Sequence, residues 1–320
     1  MVELQSTWTW LPAIYLFLGG VSAGAMLIVA LLKLAGRGRF KTTITVGSWA
    51  ATIALACGLL ALVAEVEKPF QAMVLFKSFV NPTSWMTIGA WILFVSIIVF
   101  GLLALVSTPA VVSRVPFLAR SERTLGRVLA AIAAPLAVAV AVYTGILLSA
   151  APSIPLWGTW MLPALFTVSA FDTGVAAIVI ILALLEKDEM GRRLASLLEV
   201  ATLCLVVLES IVLAAFLGGM LGGNPSEALS AGILVDGELS VVFWTLVVGF
   251  GLAVPFAAAL VQLFMARKGA HSKWLALGGA ACVLVGGFTL RYVILAAGIH
   301  AMIISPDALQ AAQGLVLMIP

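Results

Sequence analysis

The stretch Thr43–Phe70, TITVGSWAATIALACGLLALVAEVEKPF, runs for 22 residues without a charged side chain and then sets Glu65, Glu67 and Lys68 within four positions. At 1.5 Å per helical residue, 43–64 reaches about 33 Å, enough to cross a hydrocarbon layer of about 30 Å. Inside that layer a lone segment satisfies its backbone polar groups only as a helix. The charges then mark where the chain re-enters water.

Seven further apolar runs follow the same rule, at 10–34, 84–107, 128–149, 160–185, 194–221, 239–266 and 274–298. With 63% hydrophobic and 10% charged residues, and a mean hydropathy of +1.21, the chain lies far from soluble globular composition. The sequence predicts an all-α integral-membrane protein with eight transmembrane helices, its surface solvated by membrane lipid. The longest remaining pieces, 65–83, 108–127 and 222–238, are too short to form domains. The start, MVELQSTWTW, has no basic n-region and no small-residue cleavage pattern, so the first run is read as a retained helix and not a signal peptide.

Basic residues fix the orientation. Lys33, Arg37, Arg39 and Lys41 follow the first run; Arg114, Arg120, Arg123 and Arg127 the third; Lys187, Arg192 and Arg193 the fifth; Arg267, Lys268 and Lys273 the seventh. The other connections hold Lys68 and Lys77 beside acidic or neutral pieces such as Asn224-Pro-Ser-Glu227 and Asp236-Gly-Glu238. The positive-inside rule therefore places both termini outside the cytoplasm, and the Glu65–Lys68 cluster with them. The net charge of +3 reflects this asymmetry and gives no support for nucleic-acid binding, which needs a basic face clustered in water.

A weak internal echo relates Leu11-Pro-Ala13 and Gly24 to Leu162-Pro-Ala164 and Gly174, with one gap. It predicts two similar four-helix bundles in the same orientation, 1–150 and 151–300. Ser305-Pro-Asp307 then carries an N-cap pattern opening an interfacial tail helix within 301–320.

Three chemistries fail on the residues present. Gly20-Val-Ser-Ala-Gly24 fits the G-x-S-x-G nucleophile pattern, but Ser22 falls in mid-helix and the histidines, His271 and His300, flank opposite ends of the last span; small residues for close helix packing explain the motif better. Those histidines, 29 positions apart, are about 44 Å apart along a helix and do not share one haem iron. Cys57, Cys204 and Cys282 lack C-x-x-C spacing and supply fewer than the four ligands of an iron–sulfur cluster, so they are read as small packing residues. The sequence predicts neither haem nor an iron–sulfur cluster in this chain.

Depth along the helices gathers the polar side chains instead. Tyr15 lies about five residues inside the first span, Tyr143 about six from the end of the fourth, and Glu65 closes the second, all within about 10 Å of the outer boundary. Trp8, Trp10, Asn81, Ser84 and Trp85 border this layer, and Tyr292 sits at similar depth in the second bundle. Trp8 and Trp157 need no role beyond the interfacial aromatic belt. Glu65 has two readings: an ion pair at a helix end, with Lys68 within reach of Glu65 or Glu67, or a proton acceptor beside a redox carrier. Deeper in, Asp172, Glu199, Glu209 and Arg291 are expected to face the bundle interior, with Asp172 or Glu209 paired to Arg291 as a strut of the second bundle or as part of a proton or sodium path. Glu199 and Glu209 differ by about 80° of rotation and need not share one site.

Trp10-Leu-Pro-Ala-Ile-Tyr-Leu-Phe-Leu-Gly-Gly20 with Ser22-Ala-Gly24, Lys68-Pro69, Asn81-Pro-Thr-Ser84 with Gly89-Ala-Trp91, Tyr143-Thr-Gly-Ile-Leu-Leu-Ser149, Phe243-Trp244 and Leu290-Arg-Tyr292 together resemble the NrfD/polysulfide-reductase membrane-subunit family of haem-free quinol-handling proteins. The resemblance implies a bacterial or archaeal cytoplasmic membrane, a menaquinone or ubiquinone pocket in the first bundle near the outer face, and an iron–sulfur (4Fe–4S, ferredoxin-like) partner subunit docking on that face. A molybdopterin or multihaem catalytic subunit commonly accompanies it. Carried onto this chain, the pocket uses Tyr143 and Tyr15 with Glu65 nearby for protons, bordered by Trp10, Lys68, Asn81, Ser84 and Trp85. The alternatives are an ion-translocating subunit built on Asp172, Glu199, Glu209 and Arg291, and an inert membrane anchor.

Overall fold

The structure is a computed structural model that describes residues 10–36, 40–65, 84–150, 154–185, 189–268, 270 and 272–298. Trp8, Lys68, Asn81, His271, His300 and the expected tail helix lie outside the described residues.

Eight helices are long and apolar enough to span a membrane, and they follow the eight runs closely. They are α1 (Trp10–Leu34), α2 (Lys41–Glu65), α3 (Trp85–Ser107), α5 (Pro116–Ser149), α6 (Met161–Leu185), α7 (Glu189–Leu221), α9 (Ser240–Arg267) and α10 (Lys273–Ala296). Two short helices stand between them, α4 (Pro109–Arg114) and α8 (Pro225–Val235). The 222–238 connection, read from sequence as an acidic loop, therefore contains a helix. Its start is built by Asn224 as N-cap, Pro225 in the first turn and the Glu227 carboxylate accepting the Asn224 backbone N–H at 3.0 Å.

The helices α1, α2, α3 and α5 pack on one another, as do α6, α7, α9 and α10, and the two bundles meet chiefly along α1 and α6. Burial repeats this order: 61% of the most apolar stretch of both α1 and α6 is buried, against 28% for both α2 and α7. The first helix of each bundle is thus central and the second faces lipid. At the crossing, Gly24 and Gly174 bring two backbones into contact, and a methyl on either would overlap the other helix. Gly20 meets Ala170 on the same seam, where an added Cβ would stand 3.3 Å from the Ala170 Cβ. Of the positions that echo each other in sequence, Gly24 and Gly174 touch.

Two prolines shape the spans. Pro135 lies inside α5 and removes one backbone donor. Pro255 follows a wide-turned π-helical segment, Phe243–Ala253, whose register persists to Val254, the N–H of which donates to the Gly249 carbonyl five residues back.

Two expectations about small and aromatic residues are corrected. Trp157 is not an interfacial belt residue: it is fully buried, and its indole N–H donates to the Ile294 carbonyl at 2.9 Å, anchoring the segment before α6 to α10. Cys57 and Cys204 do not fill core gaps, because each lies on an exposed, lipid-side face of α2 and α7.

Candidate functional site

Tyr15 and Tyr143 come together from α1 and α5. Tyr15 is 1% exposed, and its hydroxyl has no hydrogen-bond partner among the described residues. The Tyr143 phenol is its electrostatic neighbour and is itself buried. Space for the Tyr143 ring comes from α3, where Gly89 has no side chain and a methyl would overlap the ring and its hydroxyl. The pair therefore sits where three helices of the first bundle converge, five residues inside the start of α1 and four inside the start of α3.

Glu65 stands farther out. Gly58 on α2 packs against Leu18 and the Tyr15 carbonyl, which fixes the level of Tyr15 on that helix. Glu65 lies two turns beyond Gly58 on the same face, about 10 Å along the axis, half-buried at the last residue of α2. The acid thus lies outward of the level at which Gly58 meets the Tyr15 carbonyl.

Trp10 is on another side. Its ring stacks on Tyr292 at 4.3 Å and 20° and on Phe288 at 6.1 Å, so it faces α10, about 140° around α1 from Tyr15. Ser84 holds the N-cap position of α3 without a side-chain capping hydrogen bond, and Trp85, 53% exposed, begins that helix at the outer rim.

The second bundle holds its own polar group. Arg291 on α10 is fully buried; its Nη1 donates to the Ser169 hydroxyl at 3.1 Å and the Gly287 carbonyl at 2.7 Å, while Nε donates to the Leu16 carbonyl at 3.2 Å. Its guanidinium also lies over the rings of Phe17 and Phe166, at 5.9 and 5.4 Å. Leu16 and Phe17 belong to α1, so Arg291 ties the two bundles to each other and is not a strut of the second alone. Gly20 clears its path, since a Cβ there would stand 2.7 Å from Nη2. Ser169, Asp172, Thr173 and Glu209 line a narrow cleft against Gly251, Gly286 and Gly287, and neither Asp172 oxygen has a hydrogen-bond partner among the described residues. Glu199 lines a different cleft, with Thr202, Pro255 and Gly279, so the two glutamates occupy separate sites.

Sequence reasoning missed the parts that carry no charge. Ser169 and the Leu16 carbonyl have no signature of their own, whereas Gly89 was legible as a lone glycine four residues inside an apolar helix, at the depth of Tyr143. Among the described residues, no three of His, Cys, Asp and Glu gather as metal ligands would.

Comparison with known proteins finds similarity along nearly the whole chain. The profile of the family described as "Polysulphide reductase, NrfD" matches residues 3–303. The C subunit of the polysulfide reductase of Wolinella succinogenes is 32% identical over 305 residues, covering 91% of this chain and 94% of that protein. Protein NrfD of Escherichia coli is 31% identical over 312 residues, and the NrfD homolog of Haemophilus influenzae 26% over 309, each with the same coverage of 91% and 94%. The chain therefore belongs to the NrfD polysulphide reductase family and is a multi-pass integral-membrane protein.

Proposed function

We propose that this protein is the membrane subunit of a respiratory oxidoreductase, that it binds quinol or quinone between α1, α3 and α5 near the outer face of the cytoplasmic membrane, and that it exchanges electrons with an iron–sulfur partner docked on that face. The observation that carries the proposal is the Tyr15 hydroxyl, buried beside Tyr143 without a hydrogen-bond partner among the described residues. An unmet donor in the low-dielectric interior costs about 1–3 kcal/mol, and a ligand carbonyl or hydroxyl relieves that cost.

The residues fit such a ligand. A quinone supplies a carrier of two electrons and two protons. The Tyr15 and Tyr143 hydroxyls orient its oxygens by hydrogen bonding, and their rings and the apolar helix faces pack the headgroup and exclude water. The Glu65 carboxylate, at the outer end of α2, accepts protons and passes them to the outer aqueous phase. Menaquinone and ubiquinone share the oxygens these donors address. A catalytic subunit carrying molybdopterin or several haems completes the complex, in keeping with a relative that is itself named as one component of a polysulfide reductase.

In the complex purified with its partners, Tyr143→Phe and Glu65→Gln lower quinol-dependent turnover at least about tenfold while assembly persists. Unchanged turnover in both variants overturns the assignment.

A second reading is favoured by one observation in the other bundle. Asp172 is a buried carboxyl beside Glu209 whose two oxygens have no hydrogen-bond partner among the described residues, the arrangement expected of an ion- or proton-carrying step. In that reading Asp172, Glu199, Glu209 and Arg291 serve translocation. Charge movement into vesicles that is abolished by Asp172→Asn supports it; equal movement in both forms rules it out.

A further inference from the structure

A cavity lies at the opposite end of the first bundle from the tyrosine pair. It measures about 430 Å³, within the usual range of small-molecule sites of about 300–1,000 Å³, and opens where α1 ends, α2 begins and α3 gives way to α4. Four cations, Lys33, Lys41, Arg123 and Arg127, line it against one carboxylate, Glu122.

The cations are held in place by the fold. Gly126 on α5 leaves room for the Lys33 stem, since a Cβ there would come within 3.1 Å of Nζ, and that ammonium then reaches within 3.5 Å of the Ser107 hydroxyl. Gly36, at φ +68°, ends α1 in the left-handed conformation that glycine tolerates, and its missing side chain leaves the Arg127 guanidinium space to lie 3.2 Å from where a Cβ would be. The wall formed by the α3–α4 break is pinned from α2: the Thr45 hydroxyl donates to the Ser107 carbonyl at 2.6 Å and the Trp49 indole to the Thr108 hydroxyl at 2.9 Å. Lys41 begins the 25-residue helix α2, so the positive end of its dipole points the same way.

Leu32, Ile44, Pro109 and Val112 add an apolar wall to the cavity, with Ser107 and Ser113 as the remaining polar side chains. Leu31 and Leu34 of α1 and Val46 of α2, within two residues of lining positions, are exposed toward lipid. A soluble anion has no use for such a wall, whereas glycerol and the first acyl carbons do. The site also lies on the Lys/Arg-rich side, at the level where lipid phosphates collect.

We propose that this cavity binds the phosphate headgroup of an anionic phospholipid from the cytoplasmic leaflet, with Lys33, Lys41, Arg123 and Arg127 as phosphate ligands and Glu122 opposing their pull on the anion less strongly than the four cations exert it. The site is independent of quinone binding.

Full-length protein with its accompanying subunits, delipidated in detergent, is titrated with dioleoyl phosphatidylglycerol, dioleoyl phosphatidylcholine or inorganic phosphate, and bound molecules are counted by native mass spectrometry. Phosphatidylglycerol binds at least about tenfold more tightly than phosphatidylcholine. Arg123→Gln and Arg127→Gln, both at exposed positions, each weaken it about fivefold, and Glu122→Gln tightens it about fivefold. Arg192→Gln, on the same side but outside the cavity, changes nothing. Equal affinity for the two lipids, or indifference of phosphatidylglycerol binding to all three cavity variants, overturns the proposal. Displacement of phosphatidylglycerol by inorganic phosphate as effective as by excess phosphatidylglycerol assigns the cavity to a soluble anion and overturns it equally.

Discussion

The phenol ring of Tyr143 on α5 lies across the Cα of Gly89 on α3, in space that any other residue at position 89 would fill. One glycine thus decides where a hydroxyl on another helix stands, and with it the pairing of Tyr143 and Tyr15.

A methyl at position 89 is therefore expected to act at a distance. Gly89→Ala displaces the Tyr143 ring and lowers quinol-dependent turnover about tenfold or more, although Ala is the better helix former. Subunit content of the purified complex, measured alongside turnover, stays at the wild-type level.

Tyr15→Phe separates function from folding in the opposite sense. The substitution removes a buried hydroxyl that has no hydrogen-bond partner among the described residues, so thermal stability in detergent is unchanged or rises, by up to about 1–3 kcal/mol. Turnover with quinol falls. A loss of stability would mean that the hydroxyl is satisfied within the protein.

Arg291 binds α10 to α1 and α6 through hydrogen bonds to the Leu16 carbonyl and the Ser169 hydroxyl and through two aromatic faces. Arg291→Leu costs about 2–4 kcal/mol because it leaves the Ser169 hydroxyl and the Leu16 carbonyl without their buried donor. Arg291→Lys recovers less than half of that loss, since an ammonium lacks the planar fork that reaches both bundles. Detergent melting curves of the two variants provide the check.

The seam between bundles depends on atoms that are absent. Gly24→Val forces α1 from α6 where their backbones touch and abolishes stable insertion of the folded protein. Gly101→Ala adds the first carbon of a side chain where the nearest neighbour, Thr52 Cγ2, is 3.9 Å away, and leaves stability the same or slightly higher. Yields of monodisperse protein after solubilisation distinguish the two.

What the sequence disclosed depended on the kind of force involved. Hydrophobic length is written residue by residue, so spans such as Trp10–Leu34 and Met161–Leu185 stand within a few residues of the apolar runs, whereas α5 starts at Pro116, well before its apolar run at 128. Helix α8 is equally written, in Asn224-Pro-Ser-Glu227, but the acidic composition of that connection masks its capping pattern. Depth counting puts Tyr15 and Tyr143 at one level because both spans are regular there. It sets Glu65 near the same boundary, and the acid stands at the last residue of α2, about two turns outward of the contact between Gly58 and the Tyr15 carbonyl. The partners of Arg291 are not legible, since two are backbone carbonyls and a third is a serine indistinguishable in sequence from any other. Trp157 escapes for a related reason: its neighbour Ile294 is 137 positions away, and only the folded chain brings a carbonyl to the indole.

The most direct test of the central claim is photoaffinity labelling of the purified complex with an azidoquinone, followed by peptide mapping. The account predicts label on peptides of α1 and α5 around Tyr15 and Tyr143, suppressed by excess quinol and lost in Gly89→Ala. Label confined to α6–α10, or label in the first bundle that excess quinol does not suppress, would contradict it.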